Sequence, residues 1–121
     1  MQHLKEIIKK LDRARVLVIG DLILDEYIWG KVERISPEAP VPVVWANNMT
    51  HIPGGAANVA NNISSYGAKV CLAGVIGSDK NASLLLNALK KENISTKGVT
   101  VMPQRCTTVK TRIIAGHQQV V

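Results

Sequence analysis

The chain has 121 residues, enough for one modest core and too few for two domains. With 46% hydrophobic and 20% charged residues it has the composition of a folded protein and not of a disordered one. The formal charge of +6 admits an anionic partner, but the basic residues are scattered and no aromatics alternate with them, which disfavours nucleic acid.

No stretch reaches the roughly 18 uninterrupted apolar residues of a membrane span, and no charged-then-apolar leader opens the sequence. Neither a membrane nor secretion is expected, and the cytoplasm is the default location. Cys71 and Cys106 are too few and too far apart for a zinc site, and both read as reduced thiols in apolar strands. His51 and His117 have no partner at metal-ligand spacing and read as polar surface or loop residues.

Residues 3–13 set Leu4, Ile7, Ile8 and Leu11 at helical spacing among Lys5, Lys9, Lys10 and Arg13, predicting an amphipathic helix with a solvated basic face. Val16-Leu17-Val18-Ile19-Gly20 follows as a buried strand, with the pattern of a central parallel strand whose C-terminal end opens onto a ligand crevice. Asp21 and Asp25 then stand where such folds bind small molecules.

Between Glu26 and Ala46 short β-prone stretches, Tyr27-Ile28-Trp29 and Val41-Pro42-Val43-Val44-Trp45, flank a proline-rich segment. Pro37, Pro40 and Pro42 exclude a helix and favour edge strands, so this region reads as a small antiparallel flap. Gly54-Gly55 predicts a turn leading straight into a helix over Ala56–Tyr66, with Val59, Ile63 and Tyr66 on one face and Gly67 as its stop.

A strand over 69–75, a turn at Gly77-Ser78-Asp79, a helix through Leu84, Leu85 and Leu89, and a β-prone stretch over 99–102 complete an alternating α/β order. Thr107 to Ile114 predicts a further strand, Gly116-His117 a turn and Gln119-Val120-Val121 a return strand. The chain is expected to stop in mid-hairpin, as an incomplete domain.

The strongest chemical feature is Gly54-Gly55-Ala56-Ala57-Asn58. Two glycines let a backbone approach a ligand, helix-start amides favour oxygen-rich anions, and the Asn58 amide offers both donors and an acceptor to a polyol. The same residues also describe a plain helix start with a solvated Asn. A dinucleotide fold fails on spacing, because Gly20-Asp21-Leu22 lacks the further glycines of G-x-G-x-x-G, and no P-loop lysine motif occurs.

Over Gly54 to Gly77 the chain resembles the first signature of the PfkB/ribokinase family of carbohydrate kinases, with Gly54, Gly55, Ala56, Asn58, Ala60, Gly67 and Gly77 at the family's spacings. The flanks Gly20 to Asp25, Arg34 to Val43, and Gln118-Gln119 resemble its heptose 7-phosphate kinase branch, which serves ADP-heptose and lipopolysaccharide core synthesis. The resemblance covers essentially the whole chain. It implies an α/β, ribokinase-like fold: the N-terminal portion of a mainly parallel sheet with flanking helices, spanning 1–121, plus a small β-lid over 26–46 and part of 106–121.

The resemblance also implies roles. Asp25 matches the aspartate that accepts sugar hydroxyls, Gly54, Gly55 and Asn58 match the turn that contacts the sugar, and the lid covers the substrate and commonly mediates a homodimer. Asp21 is open between a sugar contact and a turn cap. Lys110 and Arg112 alternate onto one face, as a phosphate clamp or as protective charges on an edge strand, and Arg34 carries the same alternatives. The family's catalytic aspartate lies in a Gly-Ala-Gly-Asp turn, and its donor is ATP with Mg2+; this sequence has no such turn. The expectation is a chain that binds a sugar phosphate, holds no nucleotide or metal itself, and does not complete phosphoryl transfer alone.

Overall fold

The computed structural model describes residues 2–116 and 118–121, with side chains from Lys5 onward; His117, expected in a turn, lies outside the described residues. In chain order the elements are α1 (Gln2–Lys9), a 3-10 turn (Leu11–Arg13), β1 (Arg15–Ile19), β2 (Leu22–Ile35), β3 (Pro42–Gly55), α2 (Ala56–Ser65), β4 (Lys69–Ile76), α3 (Lys80–Lys91), β5 (Ser95–Val101), β6 (Thr108–Ala115) and β7 (Gln118–Gln119).

Two sheets result. One is parallel, in the order β1-β4-β5, and the other is mixed, in the order β3-β2-β6-β7. In the first, Val16 and Val18 pair with Val70 and Leu72, so alternation turns one set of apolar side chains toward α2 and α3. Leu72, Ile76, Leu85 and Leu89 are fully buried there, joined by Ala57, Ala60, Ala82 and Ile94. Small residues on α2 let that helix lie close to the sheet, while α3 supplies the leucines.

β1 is an edge strand in this sheet, not the central one its apolar run suggested. Leu17 and Ile19, which pair with Cys71 and Ala73, are 57% and 72% exposed on the face away from the helices. An apolar run records that both faces tolerate burial; it does not say what covers each. Two further expectations need the same kind of correction. The buried stripe of α2 is Ala57 and Ala60, whereas Val59 and Tyr66 are exposed and only Ile63 packs against the core. Cys106 is exposed in the loop between β5 and β6, and Cys71 is half-buried on β4; both are free thiols.

The N-terminal helix is shorter than expected and gives way to the 3-10 turn, with Ile7 and Ile8 exposed. The flap is longer than expected. Instead of two short strands it is one antiparallel ladder running from Leu22↔Gly55 to Ile35↔Pro42, with irregularities between Trp29 and Gly30 and between Val32 and Arg34. Both prolines of the ladder, Pro42 and Pro53, lie on the edge strand β3, where a missing N–H costs least.

The two sheets are joined through the base of β2. Leu22 and Leu24 are 2% and 0% exposed and belong to the same core as the parallel sheet, which anchors this strand. Further along, Val32, Ile35 and Trp45 are exposed, so the same ladder leaves the core and projects outward. β6 adds to β2 in parallel and β7 returns along β6, extending the projecting sheet on the side opposite β3.

Candidate functional site

Alternation along β2 puts Asp25, Tyr27 and Trp29 on one face of the projecting sheet. The register brings Lys110, Arg112 and Ile114 of β6 beside them on one side and Ile52, Thr50 and Asn48 of β3 on the other. At the centre Arg112 Nη1 donates to Asp25 Oδ1 at 2.8 Å. The Arg112 guanidinium also stands over the Tyr27 ring, 5.1 Å from its centre, and Tyr27 stacks with Trp29 at 6.3 Å. The hydrogen bond to Asp25 raises the Arg112 pKa above its ordinary value, so the guanidinium stays charged.

The other carboxylate oxygen, Asp25 Oδ2, packs over Gly54, where an added Cβ would meet it directly and stand 2.9 Å from Asp25 Cγ. Gly54 is therefore the floor under the carboxylate. Gly55 follows with φ +57 and ψ −133, a conformation open in practice only to glycine, and it swings the chain out of β3 into α2. Gly54 and Gly55 thus end β3 and lead straight into α2, as the glycine pair suggested, with Gly54 itself still paired in the ladder. The Ala56 N–H donates to the Asp21 carbonyl at 2.9 Å, closing the start of α2 onto the β1–β2 connection.

No side chain caps the first turn of α2, whose N-cap is Gly55; its first amide, that of Ala56, is taken by the Asp21 carbonyl, and the amides after it are the ones an oxygen-rich ligand could use. Asn58 is exposed on that turn. Of the residues singled out from sequence, Asp25 touches both Gly54 and Arg112, and Lys110 faces Asp25 across the β2–β6 ladder. Asp21 and Gly55 meet through the backbone, and a Cβ at position 55 would stand 2.5 Å from the Asp21 carbonyl oxygen. Arg34 is elsewhere. It pairs with Val43 near the tip of the ladder, nine residues beyond Asp25 and up to about 30 Å from it along the strand.

Sequence reasoning missed Tyr27 as the shelf for Arg112. It also missed a second polar cluster on the opposite face, where Glu26 Oε2 stands 3.1 Å from His51 Nε2 and Glu26 Oε1 accepts from Thr111 Oγ1 at 2.8 Å. These contacts tie β3, β2 and β6 together, so His51 is a partly buried cross-strand partner and not a loop residue. The period of two along each strand was the available signal for both clusters. The register between strands was not.

A third node positions the loop before β6. Asp79 Oδ1 accepts from the Ala82 N–H and caps α3, Oδ2 accepts from the Thr107 N–H, and Thr107 Oγ1 accepts in turn from the Gly77 N–H. The amides of Thr107 and Ala82, the former above all, hold the Asp79 carboxyl below its ordinary pKa.

A cleft of about 860 Å3 opens on the helix side, lined by His51, Pro53, Asn61, Leu84 and Lys90; it does not include Asp25, Gly54 or Arg112. Among the described residues no group of three or more His, Cys, Asp or Glu is arranged to hold a metal ion, and no helix is long and apolar enough to cross a membrane. What the Asp25 face offers is a carboxylate acceptor, two cations and an aromatic shelf on a sheet that projects from the core. Such a set suits a polyhydroxylated anion.

Known proteins share this arrangement of chain. Residues 13–121 match the family described as pfkB family carbohydrate kinase. The chain is 57% identical over 107 residues to the bifunctional protein HldE of Helicobacter pylori (strain P12), covering 88% of this chain and 23% of that protein. It is 48% identical over 108 residues to the HldE of Magnetococcus marinus, covering 89% and 22%. It thus spans less than a quarter of the length of these curated relatives. Among solved structures, a putative ribokinase from Agrobacterium tumefaciens superposes with a TM-score of 0.65 at 26% identity, over 84% of this chain and 32% of that one. A carbohydrate kinase from the same organism superposes with a TM-score of 0.72 over 89% and 34%; at 22% identity that likeness speaks for the ribokinase-like fold alone. With 109 consecutive residues inside the family match and the fold in agreement, this chain belongs to the pfkB family of carbohydrate kinases.

Proposed function

We propose that this chain supplies the sugar-phosphate site of an ATP-dependent kinase that phosphorylates the anomeric hydroxyl of a heptose 7-phosphate, a step toward ADP-heptose and the lipopolysaccharide core. The observation that carries the reading is the Asp25 carboxylate, held between the Gly54 floor and the Arg112 guanidinium on the inner part of the projecting sheet. A carboxylate accepts sugar hydroxyls, Arg112 and Lys110 attract the phosphate, and the projecting sheet serves as a lid that excludes water from the reacting groups. The identity to HldE proteins supports the heptose branch over other sugars.

The sequence has neither a P-loop lysine motif nor a Gly-Ala-Gly-Asp turn, so Mg-ATP is proposed to be held by residues other than these 121. No step of phosphoryl transfer is therefore assigned to this chain, and the 121 residues by themselves are proposed to bind without turnover in the cytoplasm. Titration calorimetry with heptose 7-phosphate beside an ATP turnover assay tests this. Binding without turnover is the expected result, turnover by the 121 residues would overturn the division of labour, and absence of binding would overturn the substrate.

A second role is supported by the outer lid, where Trp45 and Ile35 are 69% and 68% exposed and Val32, Val41 and Met49 are exposed with them. We propose that this apolar ladder pairs with its counterpart in a second copy, forming a homodimer. Sedimentation of Trp45→Lys against the unmodified protein checks it: the variant should shift to monomer, and an unchanged mass would refute the interface.

A further inference from the structure

The two groups that a phosphorylated sugar needs are bound to each other. Arg112 Nη1 donates to Asp25 Oδ1 at 2.8 Å, with the two side chains 21% and 19% exposed, and Tyr27 supports the guanidinium from beneath at 5.1 Å. A carboxylate that grips two neighbouring hydroxyls uses both of its oxygens. Here Oδ2 faces Gly54 while Oδ1 is engaged by Arg112.

We propose that Arg112 is a specificity-determining residue that couples phosphate recognition to hydroxyl recognition: parked on Asp25 and Tyr27, it withholds Asp25 Oδ1 until a substrate phosphate draws the guanidinium away. The inference rests on the sugar-phosphate reading above and adds how phosphorylated and unphosphorylated sugars are told apart. A neutral sugar must break the ion pair and offers the guanidinium nothing in return. A phosphate replaces the carboxylate with a planar, bidentate match for the same donors. Only this difference in affinity can move the equilibrium between parked and released Arg112. The Tyr27 ring lets the guanidinium slide without losing its cation–π contact, and Lys110, two residues earlier on the same strand face, adds a second cation for the same phosphate.

The test is titration calorimetry on the natural polypeptide that carries this chain, with heptose 7-phosphate, unphosphorylated heptose, and inorganic phosphate as an added third component. Arg112→Gln should weaken heptose 7-phosphate roughly 10- to 100-fold, by loss of charged hydrogen bonds. It should improve unphosphorylated heptose by up to about fivefold, the scale of the ion pair that this sugar no longer has to break, and an unchanged affinity would overturn the withholding. In the unmodified protein, inorganic phosphate should tighten unphosphorylated heptose by up to about the same factor, and in Arg112→Gln it should not.

Equal weakening of both sugars by Arg112→Gln would make Arg112 a mere brace for Asp25 and overturn the coupling. An unchanged sugar-phosphate affinity would overturn it too, as would phosphate acting as a simple competitor of the neutral sugar in the unmodified protein. If Arg112→Gln does not fold, Arg112→Lys carries the comparison: it keeps the charge but loses the bidentate geometry, and should lower the preference for the phosphorylated sugar without abolishing it. An unmodified protein that binds neither sugar defeats the sugar-phosphate reading itself; one that binds both equally defeats only the coupling.

Discussion

The carboxylate of Asp25 lies directly over the α-carbon of Gly54, in the space a side chain at that position would fill. Gly54 has no positive φ, so alanine is allowed by its backbone, and the atoms it would displace are the terminal carboxylate of Asp25, whose pairing with Arg112 is worth little to stability. Gly54→Ala should therefore cost under about 1 kcal/mol of stability. Sugar-phosphate affinity should nevertheless fall roughly 10- to 100-fold, because the carboxylate is pushed off its position. Gly55→Ala is the opposite case. Its φ of +57 and the Asp21 carbonyl oxygen 2.5 Å from an added Cβ oppose any side chain, so it should destabilise by about 1–3 kcal/mol. Thermal melts paired with calorimetry separate the two; similar melting losses for both variants would contradict the assignment of Gly54 as a floor.

Asp79 predicts a pH dependence. Its carboxylate accepts from the Thr107 and Ala82 amides, which hold its folded-state pKa below the ordinary 3.8. The folded state prefers the charged form, so this stabilisation is complete above 3.8 and is lost as pH falls through the lower, folded value. Asp79→Ala should lower the melting temperature by roughly 5 °C near neutral pH. The gap between variant and parent should narrow as the pH drops below about 3.8. A gap that stays constant down to acid pH would show that the carboxylate's charge is not what ties α3 to the loop before β6.

Much of this was legible in the sequence for identifiable reasons. The apolar periods of 69–76 and 80–91 gave a strand and a helix because each has one buried face, and Pro37 and Pro40 marked the ladder's tip. Asp25 and Arg112 could be placed on strands, and Lys110 with Arg112 on one face, because alternation is a local property. That Arg112 reaches Asp25, 87 residues earlier, depends on β6 adding to β2 in one register. A one-residue slip would turn it to the other face. The same gap hid Glu26–His51, and it made β2 and β3 look like short strands: toward its tip the ladder is exposed, so no alternation between a buried and a solvated face marks its length.

The Glu26 cluster on the other face predicts a mechanical effect. Glu26 joins His51 on β3 to Thr111 on β6, with 19% of its own side chain exposed. Glu26→Gln keeps the shape but replaces one carboxylate oxygen with a donor, which disturbs the hydrogen bond to His51 or to Thr111, and should cost about 0.5–1.5 kcal/mol. Hydrogen exchange of the amides around His51 and Thr111 should quicken together. Loosening confined to one strand would mean that Glu26 does not couple the three.

The helix that follows Gly55 offers a direct test of which face is buried. Ala60 is 0% exposed against the parallel sheet, whereas Val59, one residue earlier, is 48% exposed. Ala60→Leu forces extra methylenes between α2 and the sheet and should destabilise by about 1–3 kcal/mol. Val59→Ala removes two methyl groups, yet its effect should stay within about 0.5 kcal/mol because about half of Val59 remains in water and it is not part of the packed core. Chemical denaturation of the two variants decides it. If Val59→Ala were the costlier, the apolar stripe of Val59, Ile63 and Tyr66 would be the packed one, and α2 would have to be rotated, carrying Asn58 away from the open side of the Gly54–Gly55 connection.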